Sequence, residues 1–394
     1  MAAKRGASAV LAEQFHPDHH QGSSHGDGRI YRLAYAEDVY FDMMLHSLPL
    51  WRELQASTND KVIAKTGQLN FALEGHDRLA SLQNLYNRRG VAYEMLCAKA
   101  LNERFPQFGL EKGKAALYQP DGGVIFASNS VRAAWKFAES LGVKTVTGFR
   151  AASLVNEGKR FTVVSDDGME LHGRGVVVAP GGWLSKMASQ LFDLNITTRV
   201  TAEQVCYYAP KAGSGIDHSY HSMPTFSASV DNGLGPQGYY GLPMIDVPGI
   251  KASAHYCGPV VDPDSRPTSA GGAAGATAVE EEAVAHARVE AVIESTNRLV
   301  SETFPHVEHK PFQSQSCLYT STPDHDYVIG KVPGYSRVVL AGGGSGHAFK
   351  MGPAIGDSCA TLALGEAPPL PLDRFSVERE ALRKEYKEEA ARRH

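Results

Sequence analysis

The spacing of apolar positions changes along this chain, and each change marks an element. Residues 7–11 form a short apolar run closed by Glu13, which reads as a buried strand followed by an acidic residue. The stretch 2–6 before it is a helix stub ended by a glycine. Over 37–54, Val39, Phe41, Met43, Met44, Leu48, Leu50, Trp51 and Leu54 fall at mostly helical spacing, with Pro49 expected to break or kink the helix. Residues 65–71 alternate as a strand does, and 79–85 and 98–105 read as helices, the second stopped by Pro106. Residues 122–126 lead into a helix over 130–141. Strands follow at 144–146 and 161–165, then a hairpin turn at Asp166-Asp167-Gly168, then a wholly apolar strand over 175–179 that ends in a close-backbone turn, Pro180-Gly181-Gly182-Trp183. The centre, 196–255, is rich in strands with Gly and Pro turns, the pattern of a mixed or antiparallel sheet. Residues 265–277 read as a small-residue, low-complexity loop. A long helix is predicted over 280–304, an apolar strand over 337–341, a glycine turn over 342–346 and a helix over 351–364. From Glu378 onward the chain is charge-rich, a helix or tail with a solvated face.

The pattern is α/β at both ends with a sheet-rich insertion. It suits a discontinuous dinucleotide-binding domain, formed by 1–60, 125–195 and 325–380, interleaved with a substrate domain formed by 61–124 and 196–324. Residues 381–394 are left as a charged tail. At 394 residues the chain is long enough for two such domains. A net charge of -4 gives no reason to expect nucleic acid or an anionic membrane as partner, and no apolar run approaches membrane-spanning length. The five cysteines are odd in number and scattered without metal or redox spacing, which favours a reducing compartment. The chain ends Ala391-Arg392-Arg393-His394, unlike a peroxisomal signal of the Ser-Lys-Leu type, so a cytoplasmic location is expected.

Candidate chemistry gathers in four stretches. Gly342, Gly343, Gly344 and Gly346 let backbone approach a ligand closely, and the helix after them offers free N–H groups and a positive dipole end. Lys350 lies at that helix start, where an ordinary surface lysine would be unfavourable to the dipole. Arg29 and Arg32 stand three apart beside a Gly/Ser loop containing His25. Lys251 and His255, four apart on a strand, share one face. His16, His19, His20 and His25 lack the spacing and the acidic or thiolate partners of a metal cluster, and no metal is expected.

Together these stretches resemble the monomeric sarcosine oxidase and pipecolate oxidase family. The resemblance rests on Gly22-Ser23-Ser24-His25-Gly26-Asp27-Gly28-Arg29-Ile30-Tyr31-Arg32, on Tyr239-Tyr240-Gly241-Leu242-Pro243 with Lys251 and His255 after it, on Cys317-Leu318-Tyr319-Thr320, and on Ser345-Gly346-His347-Ala348-Phe349-Lys350. It implies an FAD-binding, Rossmann-like domain of the glutathione-reductase type with the mixed-sheet substrate domain interleaved. It also implies the roles of individual residues. Arg32 and Lys350 would bind the substrate carboxylate, and Tyr240, His255 and Tyr319 would line the substrate pocket. Lys251 would promote oxygen reduction, with Arg29 and His25 beside the flavin. Glu13 would bond the adenosine ribose. Gly181, Trp183, Gly344, Ser345, Gly346 and His347 would pass the cofactor, and Cys317 would bond covalently to the flavin. The reaction implied is oxidation of a secondary amino acid by a monomeric enzyme, with oxygen reduced to hydrogen peroxide. A non-catalytic family member that does not hold FAD, and a flavin dehydrogenase serving a protein acceptor, are the alternatives. The family's opening strand and G-x-G-x-x-G turn would lie about twenty residues before Glu13. The chain has no room for them there, so an N-terminally truncated FAD domain is expected.

Overall fold

The computed structural model describes residues 1–265 and 282–386. The low-complexity loop, but for Ser265, and the end of the charged tail lie outside them. The largest sheet has eight strands, in the order Gln313–Ser321, Arg199–Tyr208, Ile250–Ala254, Pro236–Leu242, Thr225–Asp231, Gln68–Leu73, Lys114–Gln119 and Glu94–Cys97. Neighbours are antiparallel except Thr225–Asp231 against Gln68–Leu73, which is parallel. This is the mixed sheet expected of the centre, extended by strands from 68–119. Helix Glu282–Thr303 covers one face, where its Val292, Leu299 and Val300 join Phe71, Phe108, Phe226 and Phe304 in one apolar cluster. The Phe226 ring lies 5.9 Å from Phe71 and 5.1 Å from Phe304. Tilted and offset rings at these distances add to the area they bury.

The remaining α/β part carries two parallel strand pairs, Val10–Glu13 with Lys144–Thr147 and Val176–Val178 with Val338–Gly342. The antiparallel strand Val328–Lys331 extends the second pair. The pairs belong to separate sheets, so the dinucleotide-type sheet is not continuous among the described residues. Val10–Glu13 and Val176–Val178 each have a strand neighbour on one side only. Side chains that a second neighbour would flank are open, and Val10, Leu11 and Val177 are exposed, Val177 to 42%. The apolar run 175–179 is therefore a strand, as its composition indicates, but not a fully buried one. A further hairpin strand, Ala151–Asn156, pairs with Phe161–Ser165.

A small sheet of Gly28–Tyr31, Gly123–Phe126 and Ile63–Lys65 positions the arginine-bearing segment. Gly123 has no room for a side chain, because a Cβ there would stand 2.1 Å from the Ala64 carbonyl oxygen. Ile30, Val124 and Leu242 make the apolar joint between this sheet and the large one. Helix Asp38–Thr58 runs through Pro49 without ending. Pro49 and Leu45 are both exposed, so water can reach the Leu45 carbonyl that the proline leaves without a helical donor. The inner face of this helix buries Met43, Met44, Leu48, Trp51 and Leu54 together with Met351, Ala354 and Leu362, the last two from helix Gly352–Leu364. Past that helix the chain is not simply solvated. Phe375 and Leu382 are buried, and Arg379 bonds Asp324 through two nitrogens at 2.7 and 3.0 Å. No helix among the described residues is long and apolar enough to cross a membrane.

Candidate active site

A cavity of about 480 Å³ is lined by the segment 23–32, the inner strands of the large sheet and the glycine turn 342–346. Strand Ile250–Ala254 carries Lys251 into it, with Tyr207 and Leu242 opposite in the two adjoining ladders. The Lys251 ammonium is 6% exposed and donates to the Gly28 carbonyl at 3.3 Å. Burial and then repulsion from Arg29 push its pKa down to about 7, against the pull of Cys317 and Asp27. Asp27 itself is raised by burial, with Lys251 drawing it back. Lys251 is thus an amine poised between charged and neutral forms at physiological pH.

Just beyond the same strand, His255 Nδ1 lies 2.9 Å from the Tyr319 hydroxyl. Its ring meets Tyr319 and Tyr240 nearly edge-on, with centroids 5.2 and 5.7 Å away. Burial, followed by repulsion from Arg32, Lys350 and Arg78, holds His255 well below its ordinary value, so the imidazole is neutral. Burial likewise pushes the Tyr240 hydroxyl up to about 12. At His255 and Tyr240 the wall therefore presents uncharged hydrogen-bonding groups. A buried carboxylate, Glu203, fixes the turn that follows His255 by accepting from the Cys257 and Gly258 N–H groups at 3.0 and 3.1 Å.

Two cations meet around Tyr35. Arg32 donates to Ser227 Oγ at 2.5 Å, and its guanidinium lies 5.5 Å from the Tyr35 ring centroid. Lys350 donates to the Tyr35 hydroxyl at 2.9 Å and to the His347 carbonyl at 2.8 Å. Trp51 Nε1 donates to the Lys350 carbonyl at 2.8 Å and holds that backbone. Burial, then repulsion from Arg32 and Arg29, moves Lys350 well below the usual lysine range. An anion between Arg32 and Lys350 would relieve this repulsion. Arg29 has a different task. It donates to the carbonyls of Gly28, Ser23 and His25 at 2.9, 2.7 and 2.9 Å, pinning its own loop, and faces the Phe349 ring at 5.6 Å.

The glycine turn is laced to the cysteine-bearing strand. The Ser345 N–H donates to the Thr320 carbonyl at 3.0 Å. Gly346 has φ +74°, and a Cβ there would stand 2.3 Å from the Tyr319 ring. His347 Nδ1 lies 2.7 Å from the Tyr327 hydroxyl. Cys317 lines the cavity beside Tyr319, and Gly181, Gly344, Gly346 and His347 line it too.

The cavity thus brings together Arg29, Arg32, Tyr240, Lys251, His255, Cys317, Tyr319 and Lys350, and it leaves other expected residues outside its wall. His25 is buried against His20, with ring centroids 4.6 Å apart. Glu13 accepts from the Phe15 N–H at 3.0 Å and faces His19 at 3.7 Å. Trp183 Nε1 donates to Asp264 at 2.6 Å. Ser345 is fully buried, its hydroxyl donating to the Gly343 carbonyl at 3.1 Å. Conversely, the cavity wall includes Trp51, Arg78, Ser227 and Phe349, which the sequence reading missed. One sequence signal for Arg78 exists, namely a cation in the first turn of helix Asp77–Arg89, where it opposes the dipole.

A close-backbone glycine turn, a cysteine and two paired cations in one cavity are the surroundings a redox cofactor and an acid substrate would need. The chain belongs to the FAD dependent oxidoreductase family, whose profile matches residues 1–362. It is similar to the monomeric sarcosine oxidase of Bacillus sp. (strain B-0618), with 30% identity over 386 residues covering 97% of this chain and 92% of that protein. It is also similar to the peroxisomal sarcosine oxidase of Homo sapiens, with 28% identity covering 96% and 91% of the two chains. Among solved structures it resembles the open form of NikD, an unusual amino acid oxidase, with a TM-score of 0.77 at 20% identity, covering 95% of this chain and 92% of that one. The protein is therefore an FAD-dependent oxidoreductase built on the fold of flavoprotein oxidases. Its residues fit a flavin. Gly344, Gly346 and Gly181 present bare backbone to the cavity, and at Gly181 no atom lies within 4 Å of where a Cβ would stand. Lys251 and Arg29 supply positive charge nearby.

Proposed function

We propose that this protein oxidises a secondary amino acid of the sarcosine or pipecolate kind, using FAD attached through Cys317 and oxygen as acceptor, with hydrogen peroxide as product. The observation that carries this reading is the Arg32–Tyr35–Lys350 arrangement in the same cavity as Lys251, His255 and Cys317. When bound, FAD would accept the two electrons of amine oxidation and pass them to oxygen. The chain's own residues do the rest. Arg32 and Lys350, both beside Tyr35, take the substrate carboxylate, a charge-assisted grip that fixes where the amine carbon lies. Neutral His255, held by the Tyr319 hydroxyl, leaves the substrate nitrogen free of a competing positive charge. Tyr240 and Tyr319 close the apolar flank and limit water. Lys251, in its protonated form, places a cation where negative charge develops as oxygen is reduced.

The similarity to monomeric and peroxisomal sarcosine oxidases supports this reading, as does the absence of any carboxylate from the cavity wall among the described residues. A monomer acting in the cytoplasm is the matching proposal for its state and place. The test is peroxide formation under air from N-methylglycine and pipecolate by the FAD-loaded protein. Arg32→Ala should raise KM by roughly thirty- to a thousand-fold, the loss of one charge-assisted contact. Colour that stays with the protein through acid precipitation, and is lost from Cys317→Ser, tests the attachment. No peroxide from any secondary amino acid, or unchanged kinetics in Arg32→Ala, would refute the reading.

A further inference from the structure

Backbone outside its usual range converges at one place behind the cavity. Among the described residues six positions other than glycine have a positive φ. Asn59 and Asp193 close helices Asp38–Thr58 and Leu184–Phe192, where that conformation is common, and Asp18 is of a residue type that tolerates it. The other three are Tyr256, His325 and Ser345, at +62°, +60° and +44°. They meet one another. The Tyr256 hydroxyl donates to the Ser345 carbonyl, and the Tyr256 ring stands edge-on to His325 with centroids 4.8 Å apart. Strained backbone persists only where its surroundings enforce it, and it gathers at working sites.

Tyr256 does not line the cavity, but it touches what does. Consecutive side chains on a strand point to opposite faces. The left-handed turn just after strand Ile250–Ala254 breaks that alternation, and the Tyr256 ring lies 4.0 Å from the ring of its neighbour His255. It also meets the Tyr319 ring at 5.6 Å, although strand Arg199–Tyr208 stands between the two strands that lead to them. His255 and Tyr319 both face the cavity, as do Gly344 and Gly346 on either side of Ser345. Ser345 is therefore tied twice. Its N–H donates to the Thr320 carbonyl at 3.0 Å, beside Tyr319, and its carbonyl accepts from Tyr256, beside His255. Burial, then the neighbouring Tyr386, Tyr35 and Glu203, hold the Tyr256 phenol well above its ordinary value, so it stays a donor.

Resting on the reaction proposed above, we propose that Tyr256 is a positioning residue that locks the substrate wall of His255 and Tyr319 to the glycine turn through its bond to the Ser345 carbonyl. The carboxylate grip of Arg32 and Lys350 fixes one end of the substrate. The lock fixes how the wall beside the amine carbon sits relative to the turn that the cofactor would face. It therefore acts on the rate of the chemical step and not on carboxylate affinity.

Hydrogen exchange, binding and turnover test this separately. Tyr256→Phe keeps the ring and removes the hydroxyl alone. Backbone hydrogen exchange over 343–348 should quicken about fivefold or more in the variant, the yield of one lost hydrogen bond, while helix Glu282–Thr303 exchanges as before. Calorimetry on the protein as purified should show propionate affinity within about twofold of the parent, because Arg32 and Lys350 are untouched. In the FAD-loaded protein, kcat for N-methylglycine should fall about tenfold or more with KM within about threefold, the pattern of a misplaced reacting carbon rather than of a lost contact. Unchanged exchange over 343–348 would overturn the lock. So would an unchanged kcat, or a variant whose KM and propionate affinity worsen as much as its kcat. Faster exchange with intact propionate affinity, in a protein that oxidises no secondary amine, would uphold the lock and refute the proposed reaction instead.

Discussion

Lys251 is the residue in which structure and chemistry pull hardest against each other. In the unfolded chain its ammonium titrates near 10.5, and in the fold near 7, chiefly because it is buried. The folded value is the lower one, so the penalty for burying the charge is fully present below about pH 7. It fades as pH rises toward the unfolded value, where both states are neutral. Lys251→Met should therefore stabilise the protein on the order of 3–5 kcal/mol at pH 6, and the gain should shrink steadily by pH 10. Urea unfolding at a series of pH values checks it, and a gain that is flat or grows with pH would contradict it. The same variant should slow oxygen's reaction with the reduced enzyme at least about tenfold more than reduction by substrate, since the cation acts on charge formed only in the oxygen step. Stopped-flow measurement of the two half-reactions separates these. Stability given up at a functional group is a common arrangement where a site needs a poised proton.

At the level of elements, the glycine turn after strand Val338–Gly342 is held by what surrounds it. Gly346 combines a positive φ with a neighbouring aromatic ring 2.3 Å from any added Cβ, while Gly344 has neither the positive φ nor a contact closer than 2.9 Å. Gly346→Ala should thus cost about 2–4 kcal/mol by strain and overpacking, and Gly344→Ala distinctly less. The displaced Tyr319 should also weaken substrate binding, because it holds His255 in the cavity wall. Chemical denaturation with ligand titration on both variants reads the two effects. This turn and the helix after it were legible in the sequence, as were helices Glu282–Thr303 and Ala98–Arg104, because period and breaker residues agree there. The run 65–71 reads as one strand, but it joins the end of Ile63–Lys65 to the start of Gln68–Leu73, since the reversal at Gly67, φ +79°, leaves no mark on the apolar pattern. Ala151–Asn156 escaped because a half-exposed hairpin strand carries no alternation. Among site residues, Arg32, Lys251, His255, Tyr319 and Lys350 stood in recognisable strings. Arg78, Trp51 and Ser227 did not, because their helices and strand bring them to the cavity only through long-range packing.

In the whole molecule, the segment after helix Gly352–Leu364 acts as a clasp. Arg379 grips Asp324 and also donates to the Tyr327 and Asp326 carbonyls, each at 2.8 Å. Burial works to raise Asp324, but the bonds and charge of Arg379 hold it below the ordinary carboxylate range. A lowered folded value means the stabilisation is present above the unfolded pKa near 4 and is lost as pH falls through the folded one. Arg379→Met should lower stability at pH 7 by about 2–4 kcal/mol, with the deficit narrowing below pH 4. A deficit independent of pH across that range would show the clasp is packing rather than charge. The cavity has a consequence of another kind, in time. Its walls join residues that are distant in the chain: Trp51 to Lys350, Tyr35 to Lys350, Lys251 to Gly28. Contacts of such separation form late, after loop closure has been overcome. During synthesis, then, the segment with Arg29 and Arg32 emerges first and must wait through some three hundred residues for its counterpart. No partly made chain has a site to fill. A site for FAD is thus completed only once the glycine turn has emerged, late in synthesis.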